Sequence, residues 1–194
     1  MKYNKNEWFV NHARNYITIV LVALIGNINA DNIAYVSKTG PSAAGAGKEW
    51  PNNRFVVNGD CITDKLTGLM WVKNGSLLGD GTWGDSATSG TAQYKVAQMN
   101  TNPSATGYRL CGYSDWRLPA QTELLSLFNF AATNGNQADW LNSAGFSGVN
   151  PSNYWSSTPG GNGAWYVSFE KGNTSSLPSN DGSIAYIWAV RGGK

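Results

Sequence analysis

The stretch YWSSTPGGNGAWYVSFEKGN, residues 154–173, sets Tyr154 and Trp155 before a Gly-rich loop and Trp165, Tyr166 and Phe169 after it. Within it AWYVSFE alternates, with Trp165, Val167 and Phe169 on one side of an extended chain and Tyr166, Ser168 and Glu170 on the other. A strand of that pattern packs its first face on a core and turns its second outward. Working outward, the run IAYIWAV (184–190) is apolar on both faces, as expected of a strand inside a sheet. FVVNGDCIT places Asn58-Gly59 between two β-prone runs, a hairpin signal because both turn positions tolerate positive φ. LMWVK is a further short strand. Two stretches read as helices: TAQYKVAQMN, carrying Tyr94, Val96 or Ala97 and Met99, and LPAQTELLSLFNF, with Pro119 suited to a first turn and a stripe of Leu124, Leu125, Leu127 and Phe128. The fold class this predicts is α+β: about two helices packed on short, largely antiparallel strands.

The first thirty residues read differently. A basic front (Lys2, Lys5, Arg14) leads into the apolar run ITIVLVALIG and then small Ala30, the pattern of a secretory signal peptide spanning residues 1–30. The run is short of the ~20 residues that span a bilayer. An uncleaved anchor and a buried helix are the alternatives. Cleavage would leave residues 31–194 as a single domain with no membrane span. It would be exported: secreted, periplasmic or at the cell surface. It would also remove His12, the one histidine, and leave eleven basic and eleven acidic residues. A chain without histidine has no imidazole base or metal ligand, and a neutral one has no long-range field for nucleic acid. The two cysteines, Cys61 and Cys111, have one internal pairing open to them. In an exported chain that pairing is a disulfide, worth about 4 kcal/mol for a loop of roughly 50 residues; two buried thiols are the alternative.

Several motifs occur in a fixed order: KTG (38–40), WPNNRFVVNGD, TDKLTGLMWVKN, TW (82–83), LCGYSDWRLP with its following EL, WLNSAGF, YWSST, AWYVSF and VRGG. By these the chain resembles the Lcl C-terminal domain family, named after the C-terminal domain of a bacterial collagen-like adhesin. The resemblance implies a C-type-lectin-like domain whose ends lie close together and whose loop-rich second half displays the ligand face. The same fold group holds formylglycine-generating enzymes and the variable receptors of diversity-generating retroelements, whose variation would fall on residues 160–188 here.

The function expected is an exported, non-catalytic adhesion module. No local pattern pairs two carboxylates, Cys61 and Cys111 do not match the C-terminal cysteine pair of the formylglycine enzymes, and neither cofactor nor metal is expected. Asn58, Asp60 and Asp64 are too few, and wrongly spaced, for the six to eight oxygens of calcium. The ligand expected is a glycan, sulfated polysaccharide included, or else a surface protein; a homo-oligomer is left open. Its contacts are assigned to Asn153, Tyr154, Asn162, Tyr166, Ser168, Glu170, Lys171, Asn173, Ser176, Asn180 and Asp181. That surface mixes tyrosine for rigid contact with Ser, Asn and Gly for adaptable hydrogen bonding, although such loops also serve as plain solvated connections. Lys73, Lys95 and Lys171 would have to converge to hold a sulfated chain. Structural roles fall to Trp71, Trp155 and Trp165, to Trp116, to Asp115 at a turn, and to Arg117 and Arg191 as braces for carboxylates or carbonyls.

Overall fold

Asn58 pairs with Cys61 across a hairpin, leaving Gly59 and Asp60 as its two loop residues; the turn lies one residue later than Asn58-Gly59. Gly59 takes φ +61° at the first loop position while Asp60 stays negative, the pattern of a type II′ turn. This hairpin joins β1 (Phe55–Asn58) to β2 (Cys61–Asp64), and a turn closed by Gly68 (φ +72°) leads to β3 (Met70–Val72). The last strand, β9 (Val190–Arg191), pairs with β3, giving a four-stranded antiparallel sheet in the order β1-β2-β3-β9. In the computed structural model the described residues are 50–51, 53–130, 136–161, 163–178 and 182–192. The signal peptide assigned to residues 1–30, with His12, and the KTG of 38–40 lie outside them.

A second sheet holds β4 (Asp80–Thr82), β5 (Asn153–Gly160), β6 (Gly163–Ser168), β7 (Thr174–Pro178) and β8 (Ile184–Tyr186), in the order β4-β8-β5-β6-β7. Only the β5–β8 pairing is parallel. IAYIWAV therefore forms two strands in two sheets. Its first part is β8, flanked by β4 and β5; its last begins β9. Between them Ile187, Trp188 and Ala189 are buried as the chain crosses over. Trp188 joins the two halves of the core. Its Nε1 donates to the Val72 carbonyl at 2.6 Å, and its ring lies within 5.3–5.5 Å of Trp71, Phe146 and Tyr154.

Among the described residues three helices pack on these strands, one more than expected. α1 (Ala92–Thr101) starts at Thr91, whose hydroxyl accepts from the Tyr94 amide, and it buries Ala92, Val96 and Met99. α2 (Gln121–Ser126) starts after Ala120, so Pro119 precedes the helix instead of opening it. The reason is Glu123, whose carboxylate accepts from the Ala120 amide at 2.7 Å and fixes the first turn there. α3 (Gln137–Ser143) is the helix missed. Its signal was the cap Asn136 with Asp139 three residues on, each accepting from the other's backbone amide. Seven residues are too few to show a periodicity.

Cys61 and Cys111 form the one disulfide among the described residues, with Cα atoms 6.5 Å apart. It ties the start of β2 to a 3₁₀ turn at Leu110–Gly112. Arg109 and Cys111 there hold left-handed φ of +46° and +54°.

Candidate functional site

The β5–β6 hairpin pairs Tyr154 with Val167 and Trp155 with Tyr166. β6 is an inner strand, hydrogen-bonded by β5 on one side and β7 on the other. Both of its faces are covered over part of its length, and this changes which residues reach solvent. Tyr154, assigned to ligand contact, is fully buried: its hydroxyl accepts from the Asn150 amide at 2.8 Å, and burial pushes its pKa up to about 12. Ser168 is 3 % exposed, and its Oγ accepts from the Lys171 amide, so it too leaves the surface. Tyr166 is half-buried against the core. Trp165, assigned to the core, is only half-buried and is not part of the core cluster that holds Val167 and Phe169. Trp155 and Trp71 are fully buried, and Trp155 Nε1 donates to the Gly81 carbonyl at 2.8 Å.

The assigned residues that do reach solvent form two groups. At the β6–β7 turn, Glu170, Lys171 and Asn173 are exposed and Asn153 is half-buried opposite Ser168. At the other end of the strands, exposed Ser176 lies directly across from Trp165. Three residues, about 10 Å of strand, separate Trp165 from Ser168. Gly160 lets Ser176 and Trp165 pack onto its backbone, since a Cβ there would stand 2.8 Å from the Ser176 Cβ and 3.0 Å from Trp165 Cδ1. Asn162, Asn180 and Asp181 lie outside the described residues. The three lysines sit on three separate elements: Lys73 after β3, Lys171 at the β6–β7 turn, and Lys95 on α1 with its ammonium on the Leu78 and Asp80 carbonyls.

DWRLP forms a clamp between the chain ends of the four-stranded sheet and α2. Trp116 is buried and backbone-anchored by Asn100, which accepts from its amide at 2.9 Å and donates to its carbonyl at 2.8 Å. Arg117 exchanges both backbone bonds with Val190, grips Glu123 through two bonds of 2.7 and 2.6 Å, and donates to the Gly192 carbonyl. Asp115, expected at a turn, pairs with Arg191 at 2.6 Å, 76 residues away in sequence. Arg191 in turn lies 3.6 Å over the Tyr113 ring.

The hydrogen bond to Glu123 raises the Arg117 pKa. For Glu123, burial alone would raise the carboxyl, but the Arg117 bond, the Ala120 amide and the Arg117 charge together hold it below the ordinary 4.5. A depressed carboxyl contributes stability that is complete above its unfolded pKa and is lost as pH falls through the folded one. Acid unfolding is therefore expected to draw on Glu123 below about pH 4.5. Glu123→Gln should cost about 1–3 kcal/mol at pH 7 and flatten the stability profile below that pH. Urea midpoints measured from pH 7 down to pH 3 check both; a parallel shift at every pH would contradict the assignment.

A model of the Lcl C-terminal domain matches residues 60–191. The match opens at the β1–β2 hairpin and closes on β9, so KTG and WPNNRF precede it. No curated protein matches the chain. Among the described residues, no helix is long and apolar enough to cross a membrane. With well over half its length matched, from the disulfide through DWRLP and YWSST to the closing strand, the chain belongs to the Lcl C-terminal domain family.

Proposed function

We propose that this adhesin-like module is exported, has no catalytic role, and binds carbohydrate on the outer surface of β6 and β7. The observation that carries the reading is Trp165, half-buried, with part of its ring open to solvent, and paired across the strands with exposed Ser176. An indole offers a flat apolar surface to the C–H face of a sugar ring, while neighbouring hydroxyls and amides take its polar edge. Glu170, Lys171 and Asn173 extend the surface at the turn. Two of the least exposed carboxylates, those of Asp64 and Glu123, are each closed by two bonds from an arginine, which supports a binding role over acid–base chemistry. A disulfide of this kind persists in oxidising compartments, in keeping with export. The C-type-lectin-like reading of the fold belongs to the same proposal: β1 and β9 bring the two ends of the described chain into one sheet.

The second reading is a protein ligand, including the variable-receptor version centred on residues 160–188. It draws on β7 being an edge strand, whose outer backbone groups can accept another strand.

The test is binding of the purified protein to a glycan panel with sulfated polysaccharides, at low and high salt. Salt-insensitive binding that falls about tenfold in Trp165→Ala, as loss of one stacked ring implies, is the expected result. Binding confined to sulfated chains and abolished by salt would move the site to lysines, and no binding to any glycan would move the weight to a protein partner.

A further inference from the structure

We propose that a cavity of about 310 Å³ beside α1 is a second binding site, one that takes one or two neutral sugar residues. It is built by α1, the loop that follows it and the Leu77–Leu78 segment before β4, and shares no residue with the β6–β7 surface. Its volume is at the lower end of the range for small-ligand pockets, ~300–1,000 Å³. One wall is apolar, from Leu77, Leu78 and Ala105. The other carries Tyr94 and Gln98, one helical turn apart on α1 and so on one face.

The polar groups of this wall are oriented before any ligand arrives. The Ser104 backbone amide can only donate, and it donates to Asn102 Oδ1 at 3.0 Å. That fixes the Asn102 amide, whose Nδ2 then donates to Gln98 Oε1 at 2.9 Å. Gln98 is thereby fixed too, with its Nε2 donors left over. Among the described residues neither that amino group nor the hydroxyls of Tyr94 and Thr106 have a hydrogen-bond partner. The site thus offers two kinds of group beside an apolar wall: a fixed donor pair, and hydroxyls that both donate and accept.

Charge narrows the ligand class. The lining contains one cation, Lys95, and no carboxylate. The Lys95 ammonium is drawn to the wall by the Leu78 and Asp80 carbonyls at 3.2 and 2.6 Å, so one of its three protons remains for a ligand. A polyanion needs several cations, a cationic ligand needs an acid, and a wholly apolar ligand would strand the Gln98 amino group without water. A neutral sugar satisfies each group: its C–H face lies on the leucines and its hydroxyls meet Gln98, Tyr94 and Thr106.

The experiment is an NMR titration of the ¹⁵N-labelled protein with neutral mono- and disaccharides (glucose, galactose, mannose, N-acetylglucosamine, lactose, maltose) and with glucuronate as the acidic comparison. The expected result is saturable shifts of the α1 and Asn102–Gly107 amides with at least one neutral sugar. Affinity should fall about tenfold in Gln98→Leu, as loss of a hydrogen bond implies. Tyr94→Phe, which removes only the hydroxyl and keeps the ring, should weaken it less, and Trp165→Ala should leave it unchanged. Shifts confined to β6 and β7 would overturn this site while leaving the proposed function intact. Response to glucuronate alone would overturn the neutral-sugar assignment, and no shift at α1 with any sugar would overturn the site.

Discussion

Asp64→Asn is expected to destabilise the protein by about 3–5 kcal/mol, the cost of stranding one partner of a buried ion pair. Asp64 is fully buried and Arg54 5 % exposed. Arg54 Nε and Nη2 donate to the two Asp64 oxygens at 2.8 and 2.7 Å, and Nη2 also reaches the Ser126 carbonyl at the end of α2. The same carboxylate accepts from the Leu66 amide and the Thr67 hydroxyl, both at 2.9 Å, which shapes the β2–β3 turn. Arg54 also lies 4.4 Å from the Trp50 ring centre and 4.6 Å from that of Phe55. Neutralising Asp64 leaves the guanidinium charge inside without its counterion. Replacing both partners together, Arg54→Met with Asp64→Leu, should cost less than Asp64→Asn alone, since no charge is then stranded. Urea unfolding of the three proteins decides it. An Asp64→Asn cost below about 1 kcal/mol, the level of an exposed pair, would mean that the pair contributes no more than a surface contact.

The disulfide is expected to have the next largest effect. Cys61–Cys111 closes a separation of 50 residues, and its removal should cost about 4 kcal/mol through the added freedom of the unfolded chain. The two ends differ, and this gives a sharper test. Cys61 is fully buried in the core, so alanine there also leaves a small void; Cys111 is exposed. Cys111 holds φ +54°, a conformation glycine adopts without penalty and other residues do not. Cys61→Ala with Cys111→Gly should therefore be more stable than Cys61→Ala with Cys111→Ala, by up to about 1 kcal/mol. That holds only if the turn survives reduction. Equal stabilities would show that the turn relaxes once the bond is gone.

The candidate site was legible in part. The sequence named a region and its residue types, but not which of those residues would reach solvent. Alternation along AWYVSFE reports faces only where one face is covered and the other open. β6 has neighbours on both edges and partial cover on both faces, so Ser168 is buried while Trp165 reaches solvent. The cavity beside α1 left no trace in the sequence. Leu77 and Tyr94 come from segments that meet only after folding, and the orientation of Gln98 depends on Ser104 through Asn102.

What the sequence determined by itself was local chemistry. The hairpin follows from residues with positive-φ tolerance, α1 from its apolar spacing, and family membership from motifs in order. The hairpin and α1 depend on neighbours within a few positions, and each family motif is itself a short local run. The pairing of Asp115 with Arg191, the division of IAYIWAV between two sheets, the role of Trp188 between Val72 and Phe146, and the exposure of Trp165 were decided by tertiary structure alone. Those contacts join residues tens of positions apart. Their energies come from what water is excluded from, and that is a property of the packed surfaces, which no single segment carries.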